Sequence, residues 1–291
     1  MEAIKRPAPA KINLALDILG LRPDGYHEMR MVMQTVSLCD TVTLAEGEKG
    51  FSLDTDGDFL PAGGKTLEQR AVEAFFQELG RPCLPLAVSL KKQIPAYAGL
   101  GGGSADVAAL LRLLRERYAP ELPTEDLERI GLTVGSDVPF CVRGGTALAE
   151  GRGEVLSDLP PLPPCWILLC KPDFDIPTAE LFARVRGRVF QNRPDIDGMM
   201  GALEAGSLEG VAKRLYNVFE EVLPEEMRQE VQGIKTVMLR CGAMGAAMSG
   251  SGPAVFGIFR TGEEAAPALE SLRKWYVRSF AAQPVSRLDN L

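Results

Sequence analysis

Gly99-Leu100-Gly101-Gly102-Gly103-Ser104-Ala105-Asp106 is the stretch from which the fold can be read. Four glycines in five positions lead into a serine, and Val107-Ala108-Ala109-Leu110-Leu111-Arg112-Leu113-Leu114 follows as a strong helix former. A glycine loop feeding a helix start presents bare backbone N–H groups at the positive end of a helix dipole, an arrangement that suits phosphate. The pattern predicts Ser104 as N-cap and Asp106 in the first turn. Val107, Leu110, Leu111, Leu114 and Tyr118 then share one side of the helix, and Pro120 ends it.

Outward from this loop, residues 41–44 and 86–90 read as strands. Between them Leu67, Ala71, Ala74, Phe75 and Leu79 mark one face of a helix over 66–79, stopped by Gly80-Arg81-Pro82. A short helix is expected after Pro123 with Thr124 as its cap. Residues 157–164 hold four prolines in eight positions, which neither a helix nor a central strand can absorb. They set the expected boundary between units 1–157 and 158–291. The second half reads as a strand at 166–169, helices around 199–222 and 224–240, a glycine-rich loop at 250–253, a strand at 254–259 and a helix near 264–275. Alternating helices and strands in both halves indicate an α+β or α/β fold with two layers.

At 291 residues the chain can bury a full core without staples. A net charge of -7 argues against a large nucleic-acid footprint. No apolar run is long enough for a bilayer, and the first residues lack the apolar core of a signal peptide. The expected compartment is therefore cytoplasmic. The six cysteines form no C-x-x-C pair and are expected to be reduced, buried thiols. With His27 the single histidine, a multi-histidine metal site is impossible, and no G-x-S-x-G elbow accompanies it.

Three phosphate-loop patterns compete for residues near 99. Gly64-Lys65-Thr66 is the nearest approach to a Walker A loop, but the required first glycine is absent. A dinucleotide fingerprint fails at Ser104 and lies too far from the first strand–helix turn. The third is the form P-x-x-x-G-L-G-x-x-S, from Pro95 to Ser104. This string resembles the phosphate-binding motif of the GHMP kinases, the galactose, homoserine, mevalonate and phosphomevalonate kinase superfamily. Pro9-Ala10-Lys11-Ile12-Asn13-Leu14, with Asp24-Gly25-Tyr26-His27-Glu28 after it, resembles one branch, the 4-diphosphocytidyl-2-C-methyl-D-erythritol kinases of non-mevalonate isoprenoid synthesis. Gly135-Ser136-Asp137-Val138-Pro139-Phe140 and the run Met248 to Phe256 complete the set, in the right order and over nearly the whole chain.

The resemblance implies a two-domain α+β fold with its active site in the cleft between halves. It also implies ATP as co-substrate with Mg²⁺, and a cytidine diphosphate derivative as the small-molecule acceptor, phosphorylated on its 2-hydroxyl. Pro95, Gly99, Leu100, Gly101, Gly102, Gly103 and Ser104 would cradle ATP, with Lys92 near the nucleotide. Asp137 matches the residue that takes the hydroxyl proton, and Lys11 matches a cation near the reacting oxygens. Asn13 should share the face of Lys11 by the period of two. Tyr26 and His27 match a cytosine-recognition pair, and Phe182 an aromatic closing on the base from the other side. Gly250, Ser251 and Gly252 match the loop that shapes the acceptor pocket.

Plainer readings stand beside these roles. Asp137 before Val138-Pro139 could cap a turn, Ser104 could serve only as a cap, and Lys92 could be half of a solvated Lys91-Lys92 pair. The chain departs from the branch at Thr66-Leu67-Glu68, where Asn-Leu is usual, and at Val218, where aspartate is common. Rival functions are a GHMP kinase for another small alcohol and a nucleotide sensor that has lost catalysis. Neither a membrane nor a nucleic acid is an expected partner, and a monomer or a homodimer is the expected assembly.

Overall fold

Two long strands open the chain, joined by a turn over residues 22–26. The computed structural model describes residues 2–56 and 64–288. Strand β1 (Ile4–Leu21) pairs antiparallel with β2 (His27–Glu46), and residues 8–18 of β1 are buried without interruption. Such a strand is covered on both faces. Strand β3 (Phe51–Thr55), helix α1 (Leu67–Glu78) and β4 (Leu86–Lys91) make a parallel β-α-β unit against β2. Helices α2 (Gly102–Tyr118), α3 (Thr124–Leu132) and α4 (Val138–Arg143) follow, then strands β5 (Thr146–Gly151) and β6 (Val155–Asp158). Helix α2 packs on β1 and β2 through residues buried on nearly its whole circumference from Ala105 to Leu114.

The second half begins with β7 (Trp166–Cys170) and α5 (Thr178–Val185). Helices α6 (Ile196–Glu204) and α7 (Leu208–Ala212) lead to a two-residue strand, β8 (Tyr216–Asn217), and a 3-10 turn over Val218–Val222. The sequence pattern predicted one helix over 199–222. The chain breaks it at Gly206, which takes φ +61, and Ser207 then caps α7 through the Gly210 N–H. Helix α8 (Glu225–Arg240), strands β9 (Gly245–Met248) and β10 (Val255–Phe259), helix α9 (Gly262–Arg273) and β11 (Ser279–Ala282) complete the chain. The four strands β11-β7-β10-β9 form one antiparallel sheet. The seven-stranded sheet runs β3-β4-β2-β1-β8, with β5 on β2 and β6 on β5. The two halves interlock, since β8 pairs with β1 and the final segment returns to bridge Val36 to Pro284 and Gly144 to Arg287. No helix among the described residues is long and apolar enough to cross a membrane.

Several local expectations change. Gly101, at φ +71, occupies the cap position of α2, so Ser104 lies inside the first turn with no capping bond, and Asp106 falls beyond that turn. Only glycine sits comfortably at that φ, and having no side chain it leaves the serine hydroxyl free of cap duty. Pro123, not Thr124, caps α3, and the Thr124 hydroxyl accepts a bond from Arg115 at 3.1 Å. All six cysteines are free, but Cys83 is exposed and Cys39 and Cys241 half-buried. Burial pushes Cys141, Cys165 and Cys170 up to about 12, so these three thiols are inert.

A buried charge cluster anchors the loop ahead of α2. Lys92 joins Asp40 of β2 to Asp106 of α2. Asp40, fully buried, also accepts from the Gln93 and Ile94 backbone N–H groups. Desolvation works against the Lys92 ammonium, yet Asp106 and Asp40 outweigh it and hold its pKa above the ordinary value. Burial drives Asp106 up to about 7 against the pull of Lys92.

Asp40→Ala leaves a buried ammonium with one partner and two backbone donors with none, and should cost about 3–5 kcal/mol in a urea titration. Asp106 should act with the opposite sign from a surface carboxylate. Folded, it keeps its proton up to about 7, whereas the unfolded chain releases it near 3.8, so its contribution to stability falls as pH rises across that window. Asp106→Asn abolishes this titration, and urea midpoints from pH 4.5 to 7.5 should shift progressively in favour of the variant relative to wild type.

Candidate active site

The site is built around one lysine. Lys11 is 4% exposed in the middle of β1. Its ammonium donates to Asn13 Oδ1 at 2.9 Å and lies 3.2 Å from Asp137 Oδ2. Lys11 and Asn13 share a face because they are two apart on a strand, paired in register with Thr35 and Met33. Asp137 stands at the N-terminal edge of α4, but its side chain makes no capping bond there. The carboxylate turns to Lys11 and remains one-third exposed.

Both glycine loops close on the same lysine. A Cβ on Gly101 would sit 2.8 Å from Lys11 Cγ, and one on Gly250 would sit 3.2 Å from Lys11 Nζ. The loops also grip each other. A Cβ on Gly99 would collide with the Ser249 carbonyl oxygen at 2.1 Å, the Ser249 hydroxyl donates to Gly99 O at 2.9 Å, and Ala254 N donates to Ala98 O at 3.1 Å. Asn217 of β8 steadies the second loop, donating through Nδ2 to Met248 O and Gly250 O, each at 2.8 Å. The first intrahelical bond of α2 runs from Ala105 N to Gly101 O at 2.8 Å. The N–H groups of Gly102, Gly103 and Ser104 thus have no acceptor within the helix.

Two clefts meet at this loop. One, of about 780 Å³, has Leu53, Leu67, Leu90 and Ile94 as apolar walls and the 95–104 segment as its floor, with Lys92 on its side. The other, of about 620 Å³, holds Lys11, Asn13, Asp137, Tyr26, His27 and Phe182. Gly99, Gly101, Ser104, Thr178 and Ser251 line both. The clefts lie between the halves of the chain, as Thr178 and Ser251 face the glycine loop and join each other at 2.9 Å through their hydroxyls.

The aromatic residues gather at the far end of the second cleft. His27 stacks on Phe182 with centroids 4.9 Å apart, and Phe182 meets Phe219 edge-on at 5.1 Å. Burial, and then the charge of Arg186, lower the His27 pKa, so the imidazole is neutral at pH 7 and offers one donor and one acceptor. Tyr26 is 53% exposed, with the Arg152 guanidinium 4.6 Å from its ring centroid. The structure therefore brings together Lys11, Asn13, Asp137, Tyr26, His27, Phe182, Gly250 and Ser251 in one cleft. Gly252 lies just behind, turned with φ +73 against Met248. Thr66 caps α1 and lines the larger cleft, while Val218 is fully buried and away from both. Sequence reasoning did not find Arg152, Arg186 or Thr178. The one available signal was an arginine between two glycines, Gly151-Arg152-Gly153.

Residues 66–145 match the family description "GHMP kinases N terminal domain" and residues 199–278 match "GHMP kinases C terminal". A 4-diphosphocytidyl-2-C-methyl-D-erythritol kinase from Geobacillus thermodenitrificans is 40% identical over 286 residues, covering 98% of each chain. One from Moorella thermoacetica is 41% identical over 286 residues, 97% of this chain and 99% of the relative. A crystal structure of 4-(cytidine 5'-diphospho)-2C-methyl-D-erythritol kinase superposes with a TM-score of 0.80 at 33% identity, covering 97% of this chain and 99% of that one. The chain belongs to the GHMP kinases, and within them to the 4-diphosphocytidyl-2-C-methyl-D-erythritol kinase family.

Proposed function

We propose that this kinase transfers the γ-phosphoryl group of ATP to the 2-hydroxyl of 4-diphosphocytidyl-2-C-methyl-D-erythritol, giving the 2-phosphate and ADP. The observation that carries the reading is the pair of clefts joined at one glycine loop, with the Lys11–Asp137 pair on the acceptor side. A two-substrate phosphoryl transfer needs that layout, because both substrates must reach one point in line. The family relatives named above support the identity of the acceptor.

In this reading the larger cleft takes ATP. Its apolar walls suit a purine, and the free N–H groups at the start of α2 receive the phosphates. Gly101 is required twice, for its left-handed backbone and for the lysine stem packed against it. The acceptor lies in the second cleft, with cytosine at Tyr26, His27 and Phe182 and the alcohol at Asp137. A neutral His27 can bond a pyrimidine edge, and Asn13 and Gly250–Gly252 shape the pocket near the alcohol. Asp137 accepts the hydroxyl proton as the oxygen bonds to phosphorus, and Lys11 offsets charge on the moving phosphoryl group.

Mg²⁺ fits as a companion of the ATP phosphates. Among the described residues no group of three or more histidine, cysteine, aspartate or glutamate side chains could hold a metal by itself. Mg²⁺ commonly takes only one or two protein oxygens beside phosphate and water. The Ser104 hydroxyl, on the rim shared by both clefts, is the side-chain oxygen that would hold it, and the ion would supply charge neutralisation. We assign nucleotide binding mainly to residues 1–157 and a share of acceptor binding to 158–291, and we place the protein in the cytoplasm.

Incubation with ATP and the cytidyl acceptor should give a product one phosphate heavier by mass spectrometry; its absence overturns the assignment. Asp137→Asn should lower kcat by about 100-fold or more while ATP affinity, read by calorimetry, stays within about threefold. An unchanged kcat would remove Asp137 from the proton-accepting role.

A further inference from the structure

The acceptor proposed above has a fixed covalent order: cytosine, ribose, diphosphate, then the alcohol. Residues have been placed at its two ends, but none at the diphosphate between them, which carries about two negative charges at neutral pH. Lys11 is already committed to Asp137 and Asn13. Resting on that reading of the acceptor, the middle of the cleft needs cations of its own.

Two arginines line the same cleft, Arg152 and Arg186. Arg152 follows β5 directly. On one side its guanidinium stands 4.6 Å from the Tyr26 ring centroid, at the base end. On the other side its neighbour Gly153 opens toward the alcohol end: a Cβ there would lie 4.0 Å from Asp137 Oδ1 and 3.9 Å from Ser136 O. Arg152 thus stands where the acceptor passes from one end to the other. Its carboxylate partner, Glu154 Oε1, stands 3.7 Å from Nε, beyond hydrogen-bond distance. Arg186 is exposed at the end of α5, lines the same cleft as His27, and forms no salt bridge among the described residues.

We propose that Arg152 and Arg186 clamp the diphosphate of the acceptor, Arg152 from the Tyr26 side and Arg186 from the His27 side. A guanidinium offers a planar fork of donors that matches phosphate oxygens. The Tyr26 ring beneath its guanidinium carbon steadies Arg152 at the wall of the cleft. Both are positioning residues: they set how far the alcohol reaches toward Asp137 once the base is seated. The clamp also selects against acceptors that carry a nucleoside without phosphates.

The test compares CDP with cytidine as competitive inhibitors against the acceptor, in wild type, Arg152→Ala, Arg186→Ala and Arg152→Lys. Wild type should bind CDP more tightly than cytidine. Each alanine variant should weaken CDP by roughly tenfold, the size of one lost charge-assisted hydrogen bond, and raise KM for the acceptor in parallel. Cytidine should stay within about twofold, and Arg152→Lys should recover part of the CDP affinity. An unchanged CDP-to-cytidine ratio in both alanine variants overturns the clamp, as does an equal loss for the two ligands. Should Arg152→Ala fail to fold, Arg186→Ala at its exposed site decides alone. A wild-type protein that does not phosphorylate the acceptor refutes the functional reading itself, and this is seen before any variant is made.

Discussion

A lysine ammonium in the interior costs several kcal/mol unless its charge is met, and much of this molecule is arranged to meet that of Lys11. Asn13 comes from the same strand, Asp137 from the start of α4, and the lysine stem runs against Gly101 and under Gly250. Three segments far from β1 in the chain converge on one side chain. Each of the two glycine loops lacks a Cβ where the lysine passes, so neither loop could carry a larger residue without displacing it.

That convergence has a chemical consequence. The loop that packs on Lys11 also starts α2, so the helix N-terminus and the lysine face one point from two sides. Both clefts border that point, and Ser104, Thr178 and Ser251 mark their shared rim. Positioning and charge compensation are what phosphoryl transfer demands of a protein, and here they arise from backbone geometry plus one ion pair.

The framework behind the loop uses the same physics a second time. Lys92 is buried between Asp40 and Asp106, tying β2, α2 and the approach to the glycine loop into one unit. The bonds from Gln93 and Ile94 to Asp40 fix the backbone as it enters the turn. On the opposite side Asn217 fixes Met248 and Gly250 from β8, the strand by which the second half joins the first sheet.

Local signals were enough for what depends on neighbours in sequence. Glycines before an apolar helix marked the loop, period-two spacing put Lys11 and Asn13 on one face, and motif order carried the family resemblance. They were not enough where the deciding partner is distant. Ser104 looked like a cap because serine usually is one, but Gly101 takes the cap position with a left-handed backbone. The helix expected over 199–222 breaks, as periodicity does not register that Asn217 must leave it to hold Met248 and Gly250. Lys92 could be half of a solvated pair until Asp40, 52 residues away, was seen to bury it. Arg152 and Arg186 carry no motif at all, since an arginine acquires meaning only from the cleft it faces. The kind of loop and the family it serves were legible along the chain, because glycine and strand periodicity act within a few residues. Which charges are met and which await a ligand emerged with the folded chain, because electrostatics depends on distance in space rather than along the sequence.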